Sequence, residues 1–183
     1  PHVFPGINTL FNALMNNEDF RKLDLSSLIL VLGGGMAVQR PVAERWLSIV
    51  GCPIAEGYGL SETSPVATVN RLDSTEFSGT IGLPISSTEI DIRDEDGNSL
   101  PTGEVGEICV SGPLVSGGYW NKPEETVATF HNILKSRTTP SHAEGAADDA
   151  TWVRTGDLGA YHDGELYITG RVKDLVIVDG RNH

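Results

Sequence analysis

Three short stretches of this sequence gather groups suited to a phosphorylated, sugar-bearing ligand. Residues 56–63 read EGYGLSET. Their glycines let backbone approach a ligand closely. Tyr58 offers a ring face on which a planar base could stack, and Ser61 and Thr63 offer hydroxyls to phosphate oxygens. Glu62 offers a hard oxygen for Mg2+, which binds through one or two carboxylates together with substrate phosphates. The same stretch also fits a glycine-rich turn with a buried tyrosine and a surface glutamate. Residues 152–159, WVRTGDLG, set Asp157 in a Thr-Gly-Asp turn between apolar positions. A carboxylate at a strand end can accept both hydroxyls of a ribose, or it can cap its own turn. Residues 170–182, GRVKDLVIVDGRN, place Arg171 behind a glycine, where its planar fork could reach ribose or phosphate. The Val172-Lys173-Asp174 run between two strand-like segments fits a hinge, or an ordinary hairpin.

The surrounding pattern says what must hold these groups. Residues 6–20 space Ile7, Leu10, Phe11 and Leu14 as a helical face. LSSLILVLGGG reads as a strand buried on both faces, closed by a turn at Gly33, Gly34 and Gly35. QRPVAERWLSIVG reads as a helix with Val42, Trp46 and Ile49 on one side and Gly51 at its end. CPIAEGYG is a second strand, so strand, helix and strand form a parallel βαβ unit. Ligands gather beyond the carboxyl ends of such strands, where Gly33–Gly35 and Gly57–Gly59 fall.

After Asn70 the texture changes. TEIDIRDEDGNSL and GEVGEICVSG alternate apolar and polar residues around an Asp96-Gly97-Asn98 turn, the pattern of an antiparallel hairpin. GELYITGRVKDLVIVDG adds two more short strands around Gly170-Arg171. The predicted fold is α/β: a partial parallel βαβ subdomain over residues 1–70, then a smaller antiparallel, barrel-like or curled β subdomain over 71–170. Within it, residues 131–151 are polar and read as a surface insertion, with His131 and His142 facing solvent. Residues 171–183 read as a hinge and the start of a further domain. The chain begins without Met and stops directly after a strand-like run, so it reads as a segment cut from something longer.

Composition narrows the function classes. The formal net charge is -12, with 13 scattered basic residues, which argues against a nucleic-acid-binding face. Cys52 and Cys109 lie in apolar runs without metal or disulfide spacing and read as buried thiols in a reducing cytosol. No apolar stretch is long enough for a membrane span and no signal peptide is visible. A cytoplasmic protein is expected, with room for peripheral membrane contact only.

In this order and spacing, the three stretches resemble the adenylate-forming superfamily: acyl-CoA synthetases, luciferases and peptide-synthetase adenylation domains. The family's Tyr-Gly-x-Thr-Glu is here Tyr58, Gly59, Leu60, Ser61, Glu62, with Ser keeping the hydroxyl of Thr. Its Thr-Gly-Asp is Thr155, Gly156, Asp157, and its Gly-Arg hinge is Gly170, Arg171, Val172, Lys173. The resemblance spans essentially the whole chain. It implies that Tyr58 stacks on adenine beside the Gly33–Gly35 turn, Ser61 touches the α-phosphate, Glu62 holds Mg2+, Asp157 binds the ribose hydroxyls, Arg171 adds to nucleotide binding and Lys173 is the hinge pivot. It implies ATP, Mg2+ and a thiol as reactants: a carboxylate and ATP give an acyl-adenylate and pyrophosphate, then the thiol attacks.

Within the superfamily two signals coexist. Residues 1–130 resemble a bacterial long-chain fatty-acid–CoA ligase, through runs such as EGYGLSETSPVATVN and GEICVSGPLVSGGYWNKPEET. Residues 131–183 resemble fatty-acyl-AMP ligases, which pass the acyl group to the pantetheine of a carrier protein. Both agree on a fatty acyl adenylate and differ on the thiol, and the CoA ligase, covering more of the chain, is the reading adopted. Nothing here matches the family's phosphate loop, expected upstream, or its catalytic lysine, expected after His183. The segment alone is therefore expected to be inactive, and a non-catalytic nucleotide-binding module is the competing class. An amino-acid-activating domain is permitted by the motifs but disfavoured by the fatty-ligase-like runs.

Overall fold

A computed structural model describes residues 1–133, 135–136, 147, 149–172, 177–178 and 181–182. The chain divides into two compact units, Pro1–Ile85 and Ser86–His183.

In the first unit, β1 (Val3–Gly6) leads into α1 (Asn8–Met15), and β2 (Leu30–Gly33) leads into α2 (Arg40–Val50). Then come β3 (Ile54–Tyr58), β4 (Thr68–Val69) and β5 (Leu83–Pro84). The sheet order is β1-β2-β3-β4-β5. The first three strands are parallel, and β4 and β5 add on antiparallel. The expected βαβ unit is present as β2-α2-β3. Sequence reading missed β1, which gives β2 a second parallel neighbour. It also missed β4 and β5, whose pairing with β3 carries the first unit past Asn70 to Ile85 and moves the boundary accordingly.

The helices form where their residues dictate. In α2, Pro41 stands at the helix start, where its missing N–H costs nothing. Gly51, at φ 76°, ends it by donating its N–H to the Leu47 carbonyl. Trp46 is fully buried at the centre of an aromatic cluster, edge-on to Phe11 at 4.8 Å between centroids and stacked on Phe4 at 6.1 Å. In α1 the buried residues are Phe11 and Met15, one turn apart, while Ile7 and Leu10 are exposed. The core-facing stripe is thus rotated from the expected one, and the helix ends at Met15. Strand β2 alternates buried and half-buried residues instead of being covered on both faces.

The second unit is an antiparallel sheet of β6 (Glu89–Arg93), β7 (Gly106–Ser111), β9 (Thr151–His162) and β10 (Glu165–Arg171), ordered β10-β9-β7-β6. Helix α3 (Pro123–Phe130) precedes β8 (Asn132–Ile133), which pairs with β9. Among the described residues this sheet is open, with β6 and β10 at its edges, so no barrel closes. A separate pairing joins β11 (Ile177–Val178) to β12 (Arg181–Asn182).

Register sorts the side chains of β6 and β7 onto two faces. Ile90, Ile92, Ile108 and Val110 share one, and all are buried. The other carries Asp91, Arg93, Glu107 and Cys109, and these too are buried. Charge is tolerated there because it is paired. Arg93 Nε donates to Asp91 Oδ2 at 3.0 Å, and its guanidinium lies 4.3 Å from the Trp152 ring centroid. The antiparallel pairing expected from the alternation is present, and the central strand β7 is covered on both sides.

The expected turn is present: Gly97, at φ 85°, donates to the Asp94 carbonyl, and Asp94 Oδ1 accepts the Asn98 N–H. The start of the supposed insertion is partly structured, since Asn132–Ile133 pairs with Thr151–Trp152 and Ser136 bridges Asn98. His131 is exposed as expected; His142 and Lys173 lie outside the described residues.

Candidate functional site

In the first unit the expected residues converge on the carboxyl ends of β2 and β3. Tyr58 is the last residue of β3 and is only 8 % exposed. A base stacking on it would need one ring face uncovered. Gly59 follows at a point where an added Cβ would collide with the Pro65 carbonyl, so close chain approach requires glycine there. Ser61, Glu62 and Thr63 form a single 3-10 turn, with Ser61 exposed and Glu62 half-buried. Thr63 departs from expectation. It is fully buried, and its hydroxyl is engaged by the chain itself: it accepts the Leu60 N–H at 2.9 Å and lies within donating distance of the Leu60 and Pro65 carbonyls. It shapes the turn that presents Ser61 and Glu62 and is not offered to a ligand.

The three glycines after β2 also divide in role. Gly33 is a buried strand residue whose missing side chain makes room for Val38 and Ile54. Gly34 is half-buried beside the Gly57 carbonyl, and Gly35 is exposed at φ 74°. Only the latter two belong to a turn that could face a ligand.

Sequence reading assigned no role to Glu56, yet the structure makes it the tie of this region. Its carboxylate, 6 % exposed, accepts the Val38 N–H at 2.9 Å and so pins the chain that leaves the glycine turn. Its backbone exchanges hydrogen bonds with Asn70: the Glu56 N–H donates to Asn70 Oδ1 at 2.7 Å, and the Asn70 N–H to the Glu56 carbonyl at 2.8 Å. The Asn70 side-chain amide goes on to the Thr80 carbonyl at 2.9 Å. Burial raises the Glu56 carboxyl above its ordinary value, with the Val38 N–H opposing. The available signal was parity: Ile54, Glu56 and Tyr58 alternate on one side of β3, and all three are buried.

In the second unit Asp157 is not in a turn. It lies within the twelve-residue strand β9, just after Gly156, whose φ of 73° kinks that strand. Asp157 is 4 % exposed and pairs across the sheet with Arg171, whose Nε donates to Asp157 Oδ1 at 2.8 Å. Gly170 and Arg171 likewise belong to β10 instead of separating two strands. The structure thus brings the acid and the arginine of two separate motifs into one contact. Glu107, also unassigned by sequence reading, accepts Arg154 and the Gly156 N–H beside them.

A nucleotide and Mg2+ can be tested against these groups. The exposed Ser61 hydroxyl and the Glu62 carboxylate sit together on one turn, which suits a metal that takes most of its oxygens from phosphates and water. No cluster of three or more His, Cys, Asp or Glu able to hold a metal alone exists among the described residues. The Asp157–Arg171 pair offers acceptor and donor side by side, as polyol recognition requires.

Comparison with known proteins adds an independent line. The AMP-binding enzyme family matches residues 1–120. The chain is 45% identical over 178 residues to the long-chain-fatty-acid–CoA ligase of Escherichia coli O6:H1, covering 97% of this chain and 28% of that protein. It is 54% identical over 201 residues to the long-chain-fatty-acid–AMP ligase FadD32 of Mycobacterium marinum, covering 91% of this chain and 32% of that protein. The fold matches the anthranilate CoA ligase AuaEII, solved in complex with anthranoyl-AMP, with a TM-score of 0.78 at 26% identity, covering 99% of this chain and 32% of that one. ATP-bound MatB from Rhodopseudomonas palustris matches with a TM-score of 0.74 at 30% identity, covering 98% and 33%. The chain therefore spans about 28% to 33% of the length of these relatives. The motifs resemble the adenylate-forming superfamily, the fold is shared with its solved members, and the profile match covers most of the chain: it belongs to the AMP-binding enzyme family.

Proposed function

We propose that this chain is the nucleotide-binding part of an ATP-dependent ligase that activates a fatty acid as its adenylate and passes it to CoA. The observation that carries the reading is the Asp157–Arg171 pair, a nearly buried carboxylate held against a guanidinium by two family motifs. The 45% identity to a fatty-acid–CoA ligase over 97% of the chain supports the fatty acid and the CoA. In the reaction, a carboxylate oxygen attacks the α-phosphorus of ATP, forming the acyl–phosphate bond as pyrophosphate leaves. A thiolate then attacks the acyl carbonyl and AMP leaves.

The residues would divide that work. Asp157 would accept the ribose hydroxyls, and Arg171 would orient Asp157 while adding a donor toward the nucleotide. Tyr58 and the Gly34–Gly35 turn would meet the base. Ser61 would donate to the α-phosphate and Glu62 would hold Mg2+, which when bound offsets charge on the phosphates. Lys173 would be the hinge pivot toward a further domain. The protein would work in the cytoplasm; no helix among the described residues is long and apolar enough to cross a membrane.

A second reading, transfer to a carrier-protein pantetheine, is favoured by the identity to FadD32. That alignment, however, extends over more residues than the 183 of this chain, so it opens gaps on this chain's side. The alignment with the CoA ligase stays within its length. Mass spectrometry of products from the full-length protein, given a fatty acid, ATP and either CoA or a pantetheinylated carrier, separates the two. Acyl-CoA is the expected product; acyl-adenylate that stalls with CoA and clears with the carrier would overturn the CoA assignment. Asp157→Ala should slow carboxylate-dependent pyrophosphate release roughly 10-fold or more, the scale of a lost charged hydrogen bond. Unchanged turnover would refute the role of Asp157.

A further inference from the structure

Strand β9 does not run evenly past β7. Cys109 pairs with Arg154 and Glu107 with Leu158, so two steps along β7 are matched by four along β9. The two extra residues bulge out, and they fall on the segment that delivers Asp157. Bulges re-aim side chains, but they remove backbone groups from the ladder, and buried backbone groups must find other partners.

Here side chains supply the partners. The Gly156 N–H donates to Glu107 Oε1 at 3.0 Å. The Asp157 N–H donates to Thr155 Oγ1 at 3.1 Å, and that hydroxyl donates to the Ile108 carbonyl at 2.8 Å. The Gly156 carbonyl accepts the Val172 N–H at 2.8 Å. Glu107 is 7 % exposed, so its charge must also be compensated. Its second oxygen, Oε2, takes Arg154 Nε at 2.7 Å and Arg154 Nη2 as well. One carboxylate thus does two separable things. Through Oε1 it fixes the positive-φ kink immediately before Asp157, and through Oε2 it pairs with Arg154.

We propose that Glu107 is a positioning residue for Asp157, acting through the Gly156 N–H to hold the bulge that aims the Asp157 carboxylate at a nucleotide ribose. Glu107 acts on the backbone from which Asp157 projects, through the N–H of the residue before it. The inference rests on the proposed role of Asp157 as the ribose acid.

Two conservative substitutions separate the two oxygens' roles. Glu107→Gln keeps an amide oxygen that can accept the Gly156 N–H but gives up the charge that pairs with Arg154. Glu107→Asp keeps the charge near Arg154 but is one methylene too short to reach Gly156 as well. The readouts are the melting temperature and the ratio of affinities for AMP and 2′,3′-dideoxy-AMP, measured by calorimetry on the full-length protein. In the wild type the ratio should favour AMP, and Asp157→Asn should abolish it. Gly156 is only half-buried, so water can take its N–H; Glu107→Asp should melt closer to the wild type than Glu107→Gln does, yet lose about tenfold of the ratio, with dideoxy-AMP affinity unchanged. Glu107→Gln should melt lower yet keep most of the ratio. A ratio that follows the melting temperature, or one unchanged in Glu107→Asp, would make Glu107 merely structural and overturn the proposal. Gly156 amide exchange, read by NMR without nucleotide, tests the clamp itself. It should accelerate in Glu107→Asp, and an unchanged rate overturns the clamp. If the wild type does not discriminate the two nucleotides, the ribose role of Asp157 fails, and the exchange measurement tells that failure apart from failure of the clamp.

Discussion

Replacing Glu56 by glutamine and by alanine separates two effects of one buried side chain on the first unit. Burial raises its carboxyl above the ordinary 4.5, and the Val38 N–H opposes that without cancelling it. The folded chain therefore holds this proton to higher pH than the unfolded chain does. By linkage, the associated stability is fully present below the ordinary value and is lost as pH rises through the raised one. Glu56→Gln has no proton to lose and keeps an acceptor for Val38, so its stability should fall less than that of the wild type as pH rises from the ordinary 4.5 upward. Glu56→Ala removes the acceptor altogether. Val38 is buried, so its orphaned N–H should cost about 1–3 kcal/mol. Removing a buried carboxylate offsets part of this, which places the net loss near the lower end at neutral pH. For a unit of this size each kcal/mol corresponds to about 4–8 °C in melting temperature. The assay is scanning calorimetry across that pH range, following the transition of the first unit. At high pH the expected order is glutamine at or above wild type, with alanine lowest. A glutamine variant with the wild-type pH slope would refute the burial argument. An alanine variant that melts with the glutamine one would show that the Val38 bond contributes nothing.

Two other outcomes follow from the second unit. Arg93→Met should lose about 3–5 kcal/mol in urea unfolding, because it leaves the buried Asp91 carboxylate without its cation and, among the described residues, with only the Ser99 hydroxyl bonded to it; the Asp91→Asn, Arg93→Met double variant should recover most of that, and failure to recover would refute the pairing argument. Burial pushes the Cys109 thiol up to about 12, so its thiolate fraction near neutral pH is of order 10⁻⁴ or less; a disulfide reagent should label it only after denaturation, and prompt labelling of the folded protein would contradict the packing of β7.

Much of the fold could be read from local pattern. Helix α2 announced itself through Pro41, the Trp46 face and Gly51, since each acts within a few residues of itself. The signals for α3 were equally local, with Pro123 at its start and Glu124 and Glu125 in its first turn, but a reading that expected only strands and a surface insertion after Asn70 passed over them. Strands β4 and β5 could not be read this way. They are two residues each, and they exist because β3 offers an edge to pair with, which no local periodicity reports. That both faces of β6 and β7 are buried was likewise beyond local pattern. Alternation tells which residues share a face, and it does not tell that ion pairs and Trp152 will bury the charged one.

For the candidate site, residue type and order alone pointed to Tyr58, Ser61, Glu62, Asp157 and Arg171, because ligand chemistry needs those groups and leaves them in short motifs. The family membership followed from the same letters. Only the tertiary structure decided that Thr63 faces inward, that Asp157 rides a bulge within a strand, and that Arg171 meets it across the sheet. It alone exposed Glu56 and Glu107 as the groups that hold those segments in place. Their partners are backbone N–H groups 18 and 49 residues away, and a hydrogen bond to a main-chain amide leaves no mark on the identity of the residue that carries it.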